Sequence, residues 1–270
     1  MMKKAREILV TNDDGFRARG IQVLAQMLRT YGNVTVVAPV EPQSGKSVSL
    51  TLDKPLMIER PVTEDATETL GSLRVYTLSG TPADCAKLGI NIFLHEHKLP
   101  DLMVSGINHG SNASSASIYS GTLGATVEGT LYGIPSVGFS INTHDENPDF
   151  EGVLFYGRQI LDRVLEDGLR NNVYLNVNFP ALPKDQIRGI RMARQGAGRW
   201  VKEFDHRVTL RGKHYFWMVG EFEDQEAVGA PDADHHVVDS GYISIVPHRI
   251  DTTDYEELER LRQLWHFEQR

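Results

Sequence analysis

A single cysteine, Cys85, among 270 residues excludes an intrachain disulfide and makes a reducing compartment the simpler expectation. Basic residues are outnumbered: 28 Lys and Arg face 36 Asp and Glu, for a net charge of −8. That balance argues against duplex nucleic acid as a partner, yet leaves room for a small anion in a local pocket. No apolar run approaches the roughly 20 residues that a membrane-spanning helix needs. The start, "MMKKAREILVTNDDG", has lysines but not the apolar core of a secretory signal. The expectation is a cytoplasmic chain with no membrane partner, in which the Asn-x-Ser/Thr matches at Asn33 and Asn112 are empty. No G-x-G-x-x-G follows a strand, which argues against a dinucleotide oxidoreductase. "QSGKS" (43–47) is not a P-loop, because Val40 stands where the first glycine is required.

What is present is ordinary in bulk and specific in detail. Hydrophobic residues make up 40% and charged residues 24%, enough to bury a sizeable core. Residues 7–11 read as a buried strand, "ARGIQVLAQMLRT" (18–30) has helical apolar spacing, and "NVTVVAP" (33–39) reads as a second strand. That is a βαβ unit, which implies a parallel sheet. The alternation continues: strands at 73–79, 101–106, 134–140 and 172–180, and helices at 82–94, 121–133 and 150–168. The expected fold is α/β, a doubly wound and mostly parallel sheet through about residue 180. Beyond it, short alternating runs such as "KHYFWMVGEF" and "GYISIVP" read as β-hairpins, and the chain ends in a helix capped by Thr252 or Thr253. The expected division is a core at 1–185 and a β-rich arm with the terminal helix at 186–270. Short strands with open edges in a monomer suggest that the arm pairs with another copy.

In an open parallel sheet, ligands bind beyond the carboxyl ends of the strands. Four loops therefore share one rim: Asn12-Asp13-Asp14-Gly15, "PVEPQSGKSVS" (39–49), "SGTPADC" (79–85) and "SGINHGSNASSASIYSGT" (105–122). Together they hold acids, hydroxyls, asparagines and glycines, and few large apolar side chains. That composition suits a hard divalent cation and a phosphate. A cation would also explain why two like charges, Asp13 and Asp14, stand side by side, although a solvated turn with a capping acid is the plainer reading of that doublet alone. Ser120-Gly121-Thr122 at a helix start forms an anion site if its N–H groups face open space, and a simple Ser/Thr cap otherwise. Ser44, Lys46 and Asn12 are candidate ligand contacts.

Other residues carry weaker signals. Cys85 in the first turn of a helix could have a lowered thiol pKa, or simply pack the helix on the sheet. His95-Glu96-His97 and His235-His236 are possible transition-metal ligands, but neither has the i, i+4 spacing of a helical pair. A receiver-like, Mg2+-binding regulatory module also places an acidic pair after its first strand; here Asp84 follows the third, two residues into a helix. A haloacid-dehalogenase-type phosphatase needs D-x-D, and Asp13 and Asp14 are adjacent.

In order and spacing, "ILVTNDDG", "VVAPVEPQSG", "SGTPADC", "PDLMVSGINHGSN" and "YSGTLGATVEGTLYGIP" resemble the SurE family of survival-protein-E nucleotidases. The resemblance is strongest over 7–140 and returns at "LNVNFP" and "GYISIVP". It implies a Rossmann-like core, a swapped C-terminal arm, homodimers or homotetramers, and metal-dependent hydrolysis of nucleoside 5′- and 3′-monophosphates. It also implies one Mg2+ or Mn2+ per subunit held by Asp13, Asp14, Ser44 and Asn108, with phosphate held by Asn112, Ser120, Gly121 and Thr122. The attacking group could be water or an aspartate, so Asp13 and Asp14 are the catalytic candidates. Ala113 and "ASSAS" depart from a more glycine-rich family pattern without removing a ligand.

Overall fold

The computed structural model describes residues 5–143, 145, 147–227 and 230–267. The lysines of the N-terminal "MMKK" and the last three residues lie outside them. Ile8, Leu9 and Val10 of β1 (Arg6–Thr11) are all fully buried, because helices cover both faces of the sheet. Ile8 and Val10 belong to one core cluster and Leu9 to the other. On the first face lie α1 (Arg19–Leu28), which presents Ile21, Leu24 and Leu28, and α5 (Glu151–Asp167), which presents Val153, Ile160 and Leu161. On the second lies α2 (Pro82–His95), which brings Ala86, Ile90 and Phe93, beside α4 (Gly121–Leu131), which brings Ala125. Burying the larger aliphatic and aromatic side chains among these contributes roughly 1.5–3 kcal/mol each.

The other strands are β2 (Gly32–Pro39), β3 (Ile58–Glu64), β4 (Leu73–Leu78), β5 (Leu102–His109), β6 (Ser136–Asn142), β7 (Val173–Pro180), β8 (Ile190–Met192) and β13 (Ile243–Arg249). They form one nine-stranded sheet in the order β3-β4-β2-β1-β5-β6-β7-β13-β8. From β4 to β7 all pairs are parallel. β3, which the sequence patterning did not suggest, is an exposed antiparallel edge. The chain runs from β1 to β2 on one side and later returns to β5 on the other. β1/β5 is therefore the switch point, where a crevice opens beyond the carboxyl ends.

Three expectations change. β5 does not stop at residue 106 but continues to His109, with one extra residue opposite β6 between Ser105 and Asn108. "GYISIVP" is not an arm hairpin: β13 returns to the main sheet, antiparallel to β7, with β8 beside it. The terminal helix, α7 (Tyr255–Leu264), is capped by Asp254, whose side chain accepts from Glu257 N at 2.9 Å, and not by Thr252 or Thr253. What leaves the sheet is a ribbon. Its base pairs β9 (Gly198–Val201) with β12 (Glu221–Asp224), and its outer part pairs β10 (Phe204–Val208) with β11 (His214–Met218).

Candidate metal and phosphate site

The loop after β1 reaches the switch point and turns at Gly15 (φ +92°), where Asn12 Nδ2 donates to Gly15 O at 2.9 Å. Asp13 is buried and Asp14 half-buried. Three other segments hold this acidic pair. Gln43 N, in the loop after β2, donates to Asp13 O at 2.7 Å. Thr122 Oγ1, in the first turn of α4, donates to Asp13 Oδ1 at 2.6 Å. His109 N, at the end of β5, donates to Asp14 Oδ2 at 3.0 Å. The loop after β2 is also fastened to the short helix α3 (Ala116–Tyr119) that leads into α4: Ser47 N donates to Tyr119 O at 3.0 Å and Ser47 Oγ to Ile118 O at 2.8 Å. Thr81 Oγ1, capping α2, donates to Ser49 O at 2.7 Å. The four loops expected on one rim are thus linked to one another.

The electrostatics are those of an anionic pocket without a counter-charge. Burial first, and the Asp14 charge second, push the Asp13 carboxyl up to about 6, against hydrogen bonds from Thr122 that lower it. Burial raises Asp14 as well. No cationic side chain among the described residues offsets either group. Nearby, Thr11 Oγ1, Asn12 Oδ1 and Ser105 Oγ are buried without a hydrogen-bond partner among the described residues, and Thr11 and Ser105 are register partners across β1 and β5. Unpartnered buried oxygens are rare and call for an explanation. Two carboxylates with amide and hydroxyl oxygens form the donor set of a hard divalent ion. The residues present therefore fit such an ion.

The individual candidates differ in position. The extra residue in β5 carries Asn108 to the end of the strand beside the acidic pair's His109 contact; its Nδ2 donates to Gly110 O at 2.7 Å. Gly106 makes this possible, since a Cβ there would lie 2.3 Å from Phe139 O. Ser44 is exposed, one residue beyond the Gln43 that binds Asp13 O, and Lys46 is exposed on the same loop. Ser120 caps α4 by accepting from Leu123 N at 3.1 Å. Gly121 lies against the acid: a Cβ there would sit 2.9 Å from Asp13 Cβ. Thr122 is fully buried with its hydroxyl spent on Asp13, so it does not stand free as a donor at the helix start. A cleft of about 400 Å3 opens at Asp14, bordered by Arg19, Ile107, His109 and Phe150. A larger apolar groove of about 710 Å3, between α1, β3 and α5, contains none of these residues.

Two weaker readings are corrected. Cys85 is fully buried, and burial raises its thiol pKa, so it is a packing residue of the second core and not an activated nucleophile. Asp84 is consumed by a capping box, accepting from Thr81 N at 2.9 Å while its own N–H bonds Thr81 Oγ1, and it also accepts from Thr51 N at 3.1 Å. Burial raises its pKa, but those hydrogen bonds prevail and hold it below the usual carboxylate value. A receiver-like phosphoacceptor at Asp84 is therefore excluded.

The family model described as "Survival protein SurE" matches residues 8–202. The chain belongs to the SurE family. It is 41% identical to a 5′-nucleotidase SurE of Cytophaga hutchinsonii over 96% of this chain and 97% of that one. It is 42% identical to the protein of the same name from Flavobacterium psychrophilum, over 94% and 95%. Among solved structures, the SurE protein of Aquifex aeolicus is similar with a TM-score of 0.77 at 35% identity, covering 96% of this chain and 99% of that one. Family membership agrees with the mostly parallel α/β sheet.

Sequence reasoning missed the layer behind the rim. Asn112 is buried, its N donates to Asn178 Oδ1 at 2.8 Å, its O accepts from Asn176 Nδ2 at 2.9 Å, and its Nδ2 donates to Ser140 Oγ at 2.8 Å. Asn176 and Asn178 point to one face of β7, and polar residues two apart on a buried strand were the available signal. Asp234, fully buried at the start of α6 (Asp234–Asp239), accepts from Ser114 N at 2.9 Å and from Gly196 N at 2.9 Å. No local pattern announces that role.

Proposed function

We propose that this chain is a divalent-metal-dependent phosphomonoesterase that hydrolyses nucleoside 5′-monophosphates, and 3′-monophosphates as well, to nucleoside and phosphate. The observation that carries the reading is the pair of uncompensated carboxylates set against the start of α4, with Asp13 pushed up to about 6 by burial and by Asp14. Relatives named 5′-nucleotidase at about 40% identity over nearly the whole chain support it.

Asp13, Asp14, Ser44 and Asn108 would hold one Mg2+ or Mn2+ per subunit. When bound, such an ion neutralises charge on phosphate oxygens and acidifies a coordinated water. Asn112, Ser120, Gly121 and Thr122 form the phosphate cradle at the N-terminus of α4, where the helix dipole favours an anion. Within that cradle Thr122 acts through Asp13, whose oxygen it orients. The Asn112 ladder fixes the loop between β5 and α4, so the cradle is preorganised instead of assembling around its ligand. Asn12, with a buried unpartnered Oδ1, and Lys46, at the exposed lip, are the further substrate contacts in this reading.

The chain is read as a catalytic core at 1–185 and an arm at 186–270; the part of that arm outside the main sheet is the ribbon at 198–224, while β8 and β13 complete the core's sheet. The ribbon exposes Phe204, Phe216, Trp217 and Met218. A two-stranded ribbon is marginal in water by itself, and a second copy in a homodimer or homotetramer would cover it. A cytoplasmic location accords with one buried, reduced cysteine.

The test is phosphate release from a panel of nucleoside monophosphates with EDTA, Mg2+ or Mn2+. Metal-dependent release by the wild type that Asp13→Asn abolishes is expected. Equal rates in the two proteins, or no release with any metal, would overturn the assignment.

A further inference from the structure

The ribbon brings a third donor to a pair of histidines that their spacing alone could not unite. His235 and His236 open α6 as neighbours, so their side chains leave the helix in different directions. Asp224, the last residue of β12, sits between them. His235 Nε2 lies 3.1 Å from Asp224 Oδ1, and His236 Nε2 lies 2.7 Å from Asp224 Oδ2. One donor atom from each of the three residues falls within 4.8 Å of the others.

We propose that Asp224, His235 and His236 form a second cation site, selective for a divalent transition ion of the Zn2+ type, that clips the base of the ribbon to α6. Two imidazoles and a carboxylate are a recurrent three-ligand set for such ions, with metal–nitrogen distances of roughly 2.0–2.1 Å and ligand atoms a little over 3 Å apart. The donor atoms here lie within 4.8 Å of one another, near enough for small side-chain rotations to close them around one ion. At His236 the outer contact has the arrangement of metal-bound histidine, which donates its second N–H to a carbonyl or carboxylate. His236 Nδ1 is 2.8 Å from Ala230 O, whereas the buried His235 Nδ1, 3.5 Å from Asp234 Oδ1, has no hydrogen-bond partner among the described residues. Without an ion, His236 would need both ring nitrogens protonated to serve Ala230 O and Asp224 together. With one, a neutral ring suffices.

The rings are also held in place before any ion arrives. A Cβ at Gly196 would lie 2.3 Å from His235 Nδ1, so only glycine admits the ring there. Phe222 meets His235 edge-on, with centroids 5.5 Å apart. The remaining nearby charges have other engagements: Glu226 is paired with Arg194, and Asp234 holds Ser114 N and Gly196 N. Asp224 is the most exposed of the three ligands, which gives an ion access from solvent and leaves water for the fourth position. Imidazole favours Zn2+, Ni2+ or Cu2+ over Mg2+, so this site and the oxygen-rich rim would take different metals.

The test uses full-length Asp13→Asn, stripped with EDTA and kept in millimolar Mg2+ so that the rim does not compete. Zn2+ is titrated by calorimetry, and Co2+ is followed by its visible absorption, at pH 7.5. One equivalent of Zn2+ per chain is expected, with Co2+ bands characteristic of nitrogen and oxygen ligands and an unfolding midpoint that rises with Zn2+. His236→Ala should weaken Zn2+ at least about tenfold. Asp224→Asn, which keeps the shape of the side chain and guards against a folding defect, should do the same. Phosphate release in Mg2+ by chains that retain Asp13 should be unchanged by either substitution. Absence of Zn2+ binding, or binding that neither variant alters, would leave Asp224 as a plain acceptor for two imidazoles and overturn the proposal. Because the readout is Zn2+ occupancy, its failure is distinct from failure of the nucleotidase reading.

Discussion

Thr122→Val separates two roles for a residue at the start of α4. The substitution keeps the branched shape and removes only the hydroxyl, which lies 2.6 Å from Asp13 Oδ1 with Thr122 fully buried. A hydrogen bond to a charged group contributes about 1.5–3 kcal/mol, and the enclosure of this one supports a value near 2 kcal/mol. That corresponds to a factor of about 30 in an equilibrium constant. If the hydroxyl aims Asp13 at a metal, the loss falls on metal affinity. The apparent Mg2+ constant for phosphate release should rise about 30-fold, within the range known for residues that orient a ligand, while kcat at saturating Mg2+ changes little. Thr122→Ser should restore most of the loss. The assay is phosphate release across a Mg2+ series at fixed nucleotide, then across a nucleotide series at saturating Mg2+. An unchanged Mg2+ constant with a raised KM for the nucleotide would refute the reasoning and return Thr122 to direct phosphate contact.

Gly121→Ala should keep the fold and lose at least about a hundredfold in activity, because misplacing a reacting group by about 1 Å costs that much and the new Cβ would sit 2.9 Å from Asp13 Cβ; circular dichroism and phosphate release together check it, and activity within a few-fold of wild type would refute it. Burial lowers the pKa of His248 below 6.5, so the folded chain binds fewer protons than the unfolded one near that pH. Its contribution to stability is therefore present above about pH 6.5 and lost as pH falls, and urea midpoints from pH 8 to 5.5 should show a slope that His248→Gln flattens. Replacing exposed Phe216 and Trp217 with glutamate should lower the particle mass in chromatography with light scattering, and an unchanged mass would mean that the ribbon is not the interface.

The parallel core was legible because burial on both faces leaves a local trace. A strand such as Ile8-Leu9-Val10 must be apolar throughout, and α1 must show Ile21, Leu24 and Leu28 on one stripe. The antiparallel parts left less. β3 is exposed along most of its length and carries no period-two signal. β13 has the composition of any short strand, and only its partner β7, some seventy residues earlier, decides that it belongs to the main sheet. The continuation of β5 to His109 was hidden because Gly106 suggests a turn, whereas it marks a close approach to Phe139 O.

The site divides in the same way. Strand ends collect ligands, so the loops that follow them could be named from sequence, and the structure joins those loops through Asp13, Asp14 and Thr122. Which hydroxyl serves the acid and which serves an anion depends on separations below an ångström, and no spacing rule resolves that. Asp234 has the longest reach of these hidden groups. One buried carboxylate holds Ser114 N, two residues from Asn112 in the loop between β5 and α4, and Gly196 N, two residues before the ribbon begins. Removing one partner of such a buried group exposes the full desolvation cost of the other, about 1–3 kcal/mol or more for a charge. Any displacement of the ribbon's base is therefore opposed by the same carboxylate that holds the loop between β5 and α4. The ribbon's base and the loop between β5 and α4 are tied together at that residue, although 120 positions separate Ser114 from Asp234 along the chain.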